Sequence, residues 1–192
     1  MKLVFATNNA NKLAEIKQLL PEHIELLSLK DIGCTEEIPE TENTIEGNAW
    51  LKAKYVKEKY GYDCFADDTG LEVKALNGAP GVLSARYAGE SKNNQANIAK
   101  LLDELADKED KNAQFKTVIA LYFDGEQKDF TGICPGQIIN ELRGEGGFGY
   151  DPIFVPQHQS KTFAEMTAED KNLISHRALA FKQLLNYLNT KK

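Results

Sequence analysis

Apolar residues open the chain as a run, Leu3-Val4-Phe5-Ala6, and continue at helical spacing with Leu13, Ile16, Leu19 and Leu20 until Pro21. The run suits a strand buried on both faces, and the i, i+3, i+4 spacing predicts a helix over residues 11–20. Residues 23–29 alternate weakly and predict a second strand. Residues 45–60 predict a long amphipathic helix whose inward stripe holds Ala49, Leu51, Lys52, Ala53, Tyr55 and Val56, closed by Gly61. Cys64-Phe65-Ala66 reads as a brief strand ending on Asp67-Asp68-Thr69-Gly70, Leu71-Glu72-Val73 as another, and Asn77 to Gly81 as a loop. A helix over 93–105 precedes two β-rich runs, 114–123 and 128–134, joined by the hairpin signal Asp124-Gly125. Further strands are predicted over 137–142 and 153–155, on either side of a glycine-rich stretch from Gly144 to Gly149. Thr167 to Asp170 resembles a capping box, and residues 175–188 form a last helix with Leu179, Leu184, Leu185 and Leu188 inward.

Helices and strands alternate early and a strand-rich stretch intervenes, which predicts a mixed α/β or α+β sheet instead of a purely parallel one. The 192 residues suit one domain, 1–192, with two lobes. The balance is acidic, 23 Lys and Arg against 29 Asp and Glu, opposite in sign to a general nucleic-acid binder. An acidic protein that binds a polyphosphate therefore needs local donors or a bridging cation. Cys34, Cys64 and Cys134 are dispersed and show no C-x-x-C pair, which favours a reduced, cytoplasmic setting over a disulfide framework or a zinc site. No stretch approaches the roughly 20 apolar residues of a membrane span, and no signal peptide is expected.

Five stretches carry candidate chemistry. Thr7-Asn8-Asn9-Ala10-Asn11-Lys12 lies where a strand feeds a helix, and such a junction offers backbone N–H groups and the positive end of a helix dipole to an anion. The plainer reading is capping and turning by the Asn side chains. In Ala66-Asp67-Asp68-Thr69-Gly70, adjacent carboxylates repel unless a cation is near. Magnesium takes such oxygens and completes its shell with water and phosphate, while a solvated turn is the alternative. Successive strand residues point oppositely, so one Asp faces a given metal. The acidic run Glu36, Glu37, Glu40, Glu42 and Glu46 is mostly a solvated face that can lend one ligand. Gly147-Phe148-Gly149-Tyr150-Asp151-Pro152 joins close-approach glycines to an aromatic able to stack on a nucleobase, or is a turn with a core Phe. Lys171 and Ser175-His176-Arg177 place a planar donor fork at a helix start, or are a solvated cap.

Taken in order, these segments resemble the Ham1 family of inosine triphosphate pyrophosphatases. The likeness rests on residues 6–12, 66–71, 78–89, 146–154 and 174–178, which together span almost the whole chain. It implies a Ham1/Maf-like fold: an elongated central mixed sheet flanked by helices, in two lobes with the active-site cleft between them. It implies hydrolysis of inosine, deoxyinosine and xanthosine triphosphates to the monophosphate and pyrophosphate with Mg2+, by a cytoplasmic homodimer. By position, Thr7, Asn8, Asn9, Ala10, Asn11 and Lys12 would bind the triphosphate. Asp68 would be the catalytic acid residue and, with Glu40, a metal ligand, with Thr69 touching substrate beside it. Phe148, Gly149, Tyr150 and Asp151 would wall the purine, and Lys171, His176 and Arg177 would read its edge. The chain departs from many members in having Gly47 where they have Glu, with Glu46 one place earlier. The alternatives are a pyrophosphatase of other base specificity and a non-catalytic nucleotide sensor.

Overall fold

The structure, a computed structural model, describes residues 1–191. Its strands are β1 Lys2–Phe5, β2 Glu25–Leu27, β3 Cys64–Val73, β4 Asn112–Phe123, β5 Glu126–Ile138 and β6 Phe154–Pro156. Its α-helices are α1 Ala10–Leu19, α2 Ile45–Tyr60, α3 Asn94–Leu105, α4 Ala168–Ile174 and α5 His176–Asn189. The strands form one sheet in the order β2-β1-β3-β4-β5-β6. β1 is parallel to both β2 and β3, and β5 is antiparallel to β6, so the sheet is mixed as the pattern predicts.

Local chemistry sets the boundaries. Leu3, Val4, Phe5 and Ala6 are all buried, the mark of a strand covered on both faces. Thr44 caps α2 by accepting from Gly47 N at 2.9 Å, and Gly61 ends it in the left-handed region at φ 75°. Asp124 and Gly125 both have positive φ, the requirement of a two-residue hairpin whose twist matches its strands. From Gly132 to Ile138, β5 alternates buried and exposed, so one face packs inward and the other meets solvent.

The chain divides into two compact units. The first comprises residues 1–68 and 117–131 and the described residues from 180 onward, and its core gathers Leu3, Phe5, Ile16, Phe65, Ile119, Phe181 and Leu184. The second comprises 69–116 and 132–179, cored by Leu71, Leu101, Phe115, Tyr150, Phe154 and Phe163. Strands β3, β4 and β5 each contribute residues to both units. Cys34, Cys64 and Cys134 are free and buried, and burial pushes the Cys64 thiol up to about 12 and that of Cys134 to about 11. Among the described residues, no helix is long and apolar enough to cross a membrane.

Four expectations are corrected. The two short strands expected around Asp67 and Asp68 are one continuous strand, β3, and the acids sit within it. The strand expected over 137–142 is only the end of β5; beyond Ile139 the apolar residues lose period two and Leu142 is 57% exposed. Thr167 caps α4 alone, whereas the complete capping box is Thr162 with Glu165, whose longer side chain reaches back to the cap N–H. Leu179 lies at the surface, because the buried face of α5 runs through Ala180, Phe181, Leu184 and Leu188, one position out of phase with it.

Removing the Thr44 hydroxyl tests the boundary of the helix that carries Lys52. Thr44→Ala should lower unfolding free energy by about 1 kcal/mol, read as a reduced urea midpoint at unchanged slope.

Candidate active site

In the first unit the strand-to-helix junction after β1 is built around Asn9. Its Oδ1 accepts from the backbone N–H of Asn11 at 3.0 Å and of Lys12 at 3.2 Å, and Thr7 Oγ1 accepts from Asn9 N at 3.1 Å. Asn9 is therefore the N-cap of α1, the role the plainer reading gave it, while Asn8 to Asn11 remain exposed. Lys12 reaches from the first turn of α1 to Asp67, with Nζ 3.1 Å from Oδ1.

Neighbouring residues of β3 point to opposite sides, and the two acids meet two different lysines. Asp67 is held by Lys12. Asp68 faces Lys52, whose Nζ lies 3.8 Å from its Oδ1. Lys52 is buried on the inner face of α2 and also donates to Glu40 Oε1 at 2.8 Å and to the Asp67 carbonyl at 2.7 Å. Glu40 and Asp68 thus converge on one ammonium. Burial opposes the charge of Lys52, but the attraction of Asp68, Glu40 and Asp67 outweighs it and holds the group protonated above the ordinary lysine range.

Asp68 is less well compensated. Its Oδ2 is buried without a hydrogen-bond partner, and burial raises its pKa to about 6 against the opposing pull of Lys52 and Lys12. Among the described residues no cluster of three or more His, Cys, Asp or Glu is arranged to hold a metal by itself. Two carboxylates with one unsatisfied buried oxygen instead suit a hard cation that draws its other ligands from water and phosphate, as magnesium does. The departure at Gly47 has a steric reason. A Cβ there would lie 2.8 Å from Glu42 Cβ and 2.9 Å from the capping Thr44 Oγ1. Buried Asn48 fixes that Glu42 segment by accepting from Glu42 N at 3.0 Å.

In the second unit, Thr69, the Phe148–Asp151 turn, Lys171 and Arg177 come together. Arg177 Nη2 donates to Thr69 Oγ1 at 3.3 Å, and its guanidinium carbon lies 5.5 Å from the Phe148 ring centre. Lys171 Nζ is 5.3 Å from the same centre and donates to Asp151 Oδ2 at 2.8 Å. That carboxylate oxygen also accepts from Phe148 N at 3.1 Å and so closes the turn. The glycine before it is required by the chain itself: a Cβ on Gly147 would sit 2.1 Å from Asp151 Oδ2. Tyr150 is buried, and its hydroxyl donates to Ser84 O at 2.7 Å. His176 is buried with its ring stacked on Phe115 at 4.6 Å and tilted against Phe163, which leaves ring edges as the parts it can present.

The first unit thus holds an acid cluster around a buried lysine, and the second unit holds a half-buried aromatic flanked by two cations. The pattern matched over residues 3–187 is that of the Ham1 family. The chain belongs to the Ham1 family. It is 61% identical to the dITP/XTP pyrophosphatase of Christiangramia forsetii over 98% of this chain and all of that protein. It is 48% identical to the Bacillus subtilis dITP/XTP pyrophosphatase over 96% of each. The Staphylococcus aureus Ham1 structure superposes with a TM-score of 0.91 at 41% identity, covering both chains fully.

Lys52 is the member of this acid cluster that sequence reasoning missed, because it was counted within the apolar stripe of α2. A lysine inside such a stripe was itself the available signal, since a buried ammonium requires nearby anions. A cavity of about 860 Å3 on the second unit, walled in part by Glu72, Gln114, Gly136 and Val155, contains none of the expected site residues.

The Asp68 shift has a consequence for stability. Its folded pKa of about 6 exceeds the ordinary 3.8, so the native state binds the extra proton between those values and loses stability as pH rises through that window. In metal-free buffer, Asp68→Asn should therefore unfold at higher urea than the parent above pH 6, by about 1–3 kcal/mol, and gain little near pH 4. Urea titrations at both pH values check the sign.

Proposed function

We propose that this Ham1 protein hydrolyses non-canonical purine nucleoside triphosphates, those of inosine, deoxyinosine and xanthosine, to the monophosphate and pyrophosphate with Mg2+. The observation that carries the reading is Arg177, whose guanidinium lies over Phe148 and against the Thr69 hydroxyl, one residue along the chain from Asp68. The similarity to dITP/XTP pyrophosphatases of other bacteria supports it.

In this reading Thr7 to Lys12 bind the triphosphate, and Lys12 exchanges Asp67 for a phosphate oxygen. Asp68 and Glu40 would hold the cation, which supplies positive charge to the phosphoryl oxygens when bound. Asp68, raised toward neutral pH by burial, accepts the proton of the attacking water. Attack in line on the α phosphorus expels pyrophosphate, whose charge Lys12 meets. The protein's contribution is mostly position and preset charge.

Phe148 stacks on the purine with Gly149, Tyr150 and Asp151 forming its wall, while Lys171, His176 and Arg177 address its edge. Hypoxanthine and xanthine carry an acceptor oxygen at C6 where adenine carries a donor, so a guanidinium facing that atom rewards the first and leaves the second unpaired. The whole chain acts as one catalytic domain. A cytoplasmic location and a homodimeric state come with the family resemblance, and light scattering of the purified protein tests the latter.

Asp68→Asn should lower kcat for inosine triphosphate by about two to four decades, and near-parental turnover would remove Asp68 from its role. Arg177→Ala should narrow the ratio of kcat/KM between inosine and adenosine triphosphates more than it weakens phosphate binding; an unchanged ratio would end the claim of base reading. A panel of nucleoside triphosphates assayed for released pyrophosphate, with Mg2+ and then with chelator, tests the substrate class and the cation together.

A further inference from the structure

Ser84 belongs to a motif, Gly78 to Gly89, that neither the phosphate end nor the base end of the site explains. It lies in the 3-10 helix Gly81–Arg86 and is buried. Its Oγ donates to Gly81 O at 2.6 Å and accepts from the backbone N–H of Leu71 at 2.9 Å. Leu71 lies beyond the stretch of β3 that β1 pairs, which ends at Phe65. A serine hydroxyl thus takes a strand N–H that a backbone carbonyl would otherwise take. The carbonyl of the same residue accepts from Tyr150 Oη at 2.7 Å, a bond buried from solvent.

The two bonds end at opposite sides of the base-reading group. Leu71 is two residues from Thr69 on β3, on the same side of the strand, and Thr69 accepts from Arg177. Tyr150 belongs to the turn that carries Phe148. We infer that Ser84 is a positioning residue for base recognition: through Leu71 and Tyr150 it sets the separation between the Thr69–Arg177 edge and the Phe148 ring, and so the width of the slot a purine enters. Ser84 touches no substrate itself. The inference rests on the purine triphosphate reading and adds to it the device that fixes the slot.

A slot-width role and a general structural role differ in what they spare. Ser84→Ala keeps the backbone carbonyl and removes the bond to Leu71. Steady-state kinetics with inosine triphosphate and with ribose 5-triphosphate, which lacks the base, separate the two. The expected result is a KM for inosine triphosphate raised about tenfold, the order of effect of one lost buried hydrogen bond, with ribose 5-triphosphate unchanged within about twofold. Calorimetric titration should show the same split, with inosine monophosphate binding weakened and pyrophosphate binding retained. Equal losses on both substrates, or no loss on either, overturn the inference. Should Ser84→Ala fail to fold, Ser84→Cys, whose thiol is a poor acceptor for the Leu71 N–H, must show the same split between the two substrates; equal losses on both, or none on either, overturn it equally. A parent protein that releases no pyrophosphate from inosine triphosphate sinks the functional reading, whereas an active parent with an indifferent Ser84→Ala sinks only the positioning role.

Discussion

A buried ammonium makes the acid cluster of the first unit possible. Glu40, Asp67 and Asp68 place three carboxylates around the middle of one strand in an already acidic protein, and two of them are almost inaccessible to water. Left alone, such groups would repel each other and lose their hydration. Lys52 projects from α2 into that environment and holds the Asp67 carbonyl together with Glu40 and Asp68. Removing the shared cation of such a buried group typically costs about 3–5 kcal/mol, because the carboxylates are then stranded. The attraction offsets the desolvation of Lys52 but does not fully offset that of Asp68. One carboxylate oxygen consequently stays unsatisfied and ready for a proton or a cation.

The group around Phe148 in the second unit follows another logic. Asp151 is buried, and one of its oxygens is shared between the Phe148 N–H and Lys171. It thereby holds the aromatic and one of the flanking cations in one geometry. A flexible lysine fixed at its tip by a carboxylate loses its freedom during folding and not during binding, the usual benefit of preorganisation. Arg177 gains similar definition from Thr69. Polar residues that look like solvated loop chemistry in the sequence are thus buried members of a hydrogen-bonded group.

The elements were legible where periodicity was strong and caps were explicit. The helix over 45–60 matches to the residue, since Thr44 and Gly61 mark both ends. The strand pattern broke at Asp67 and Asp68 because two charged residues interrupt an apolar run, and only the lysines opposite reveal why a strand can continue through them. Leu179 was expected on the inward face of the last helix and Leu142 at the end of a strand, but helical phase and the glycine-rich chain path put them at the surface. The strand-to-helix junction marked residues 7–12 as a candidate anion site, and family likeness gave it the triphosphate. What spacing could not supply was pairing: that Lys12 answers Asp67, that Lys52 answers Asp68 and Glu40, or that Ser84 lies beneath Tyr150. Those are long-range facts, set by strand and helix packing and not by neighbouring residues.

The three native thiols are sealed in the interior, and those of Cys64 and Cys134 ionise only far above neutrality. Alkylating reagents attack the thiolate at an accessible surface. The folded protein is therefore close to a cysteine-free background as it stands. One cysteine introduced at an exposed position such as Leu173 or Tyr62 would take a spin label or fluorophore selectively, with no need to remove the natural ones.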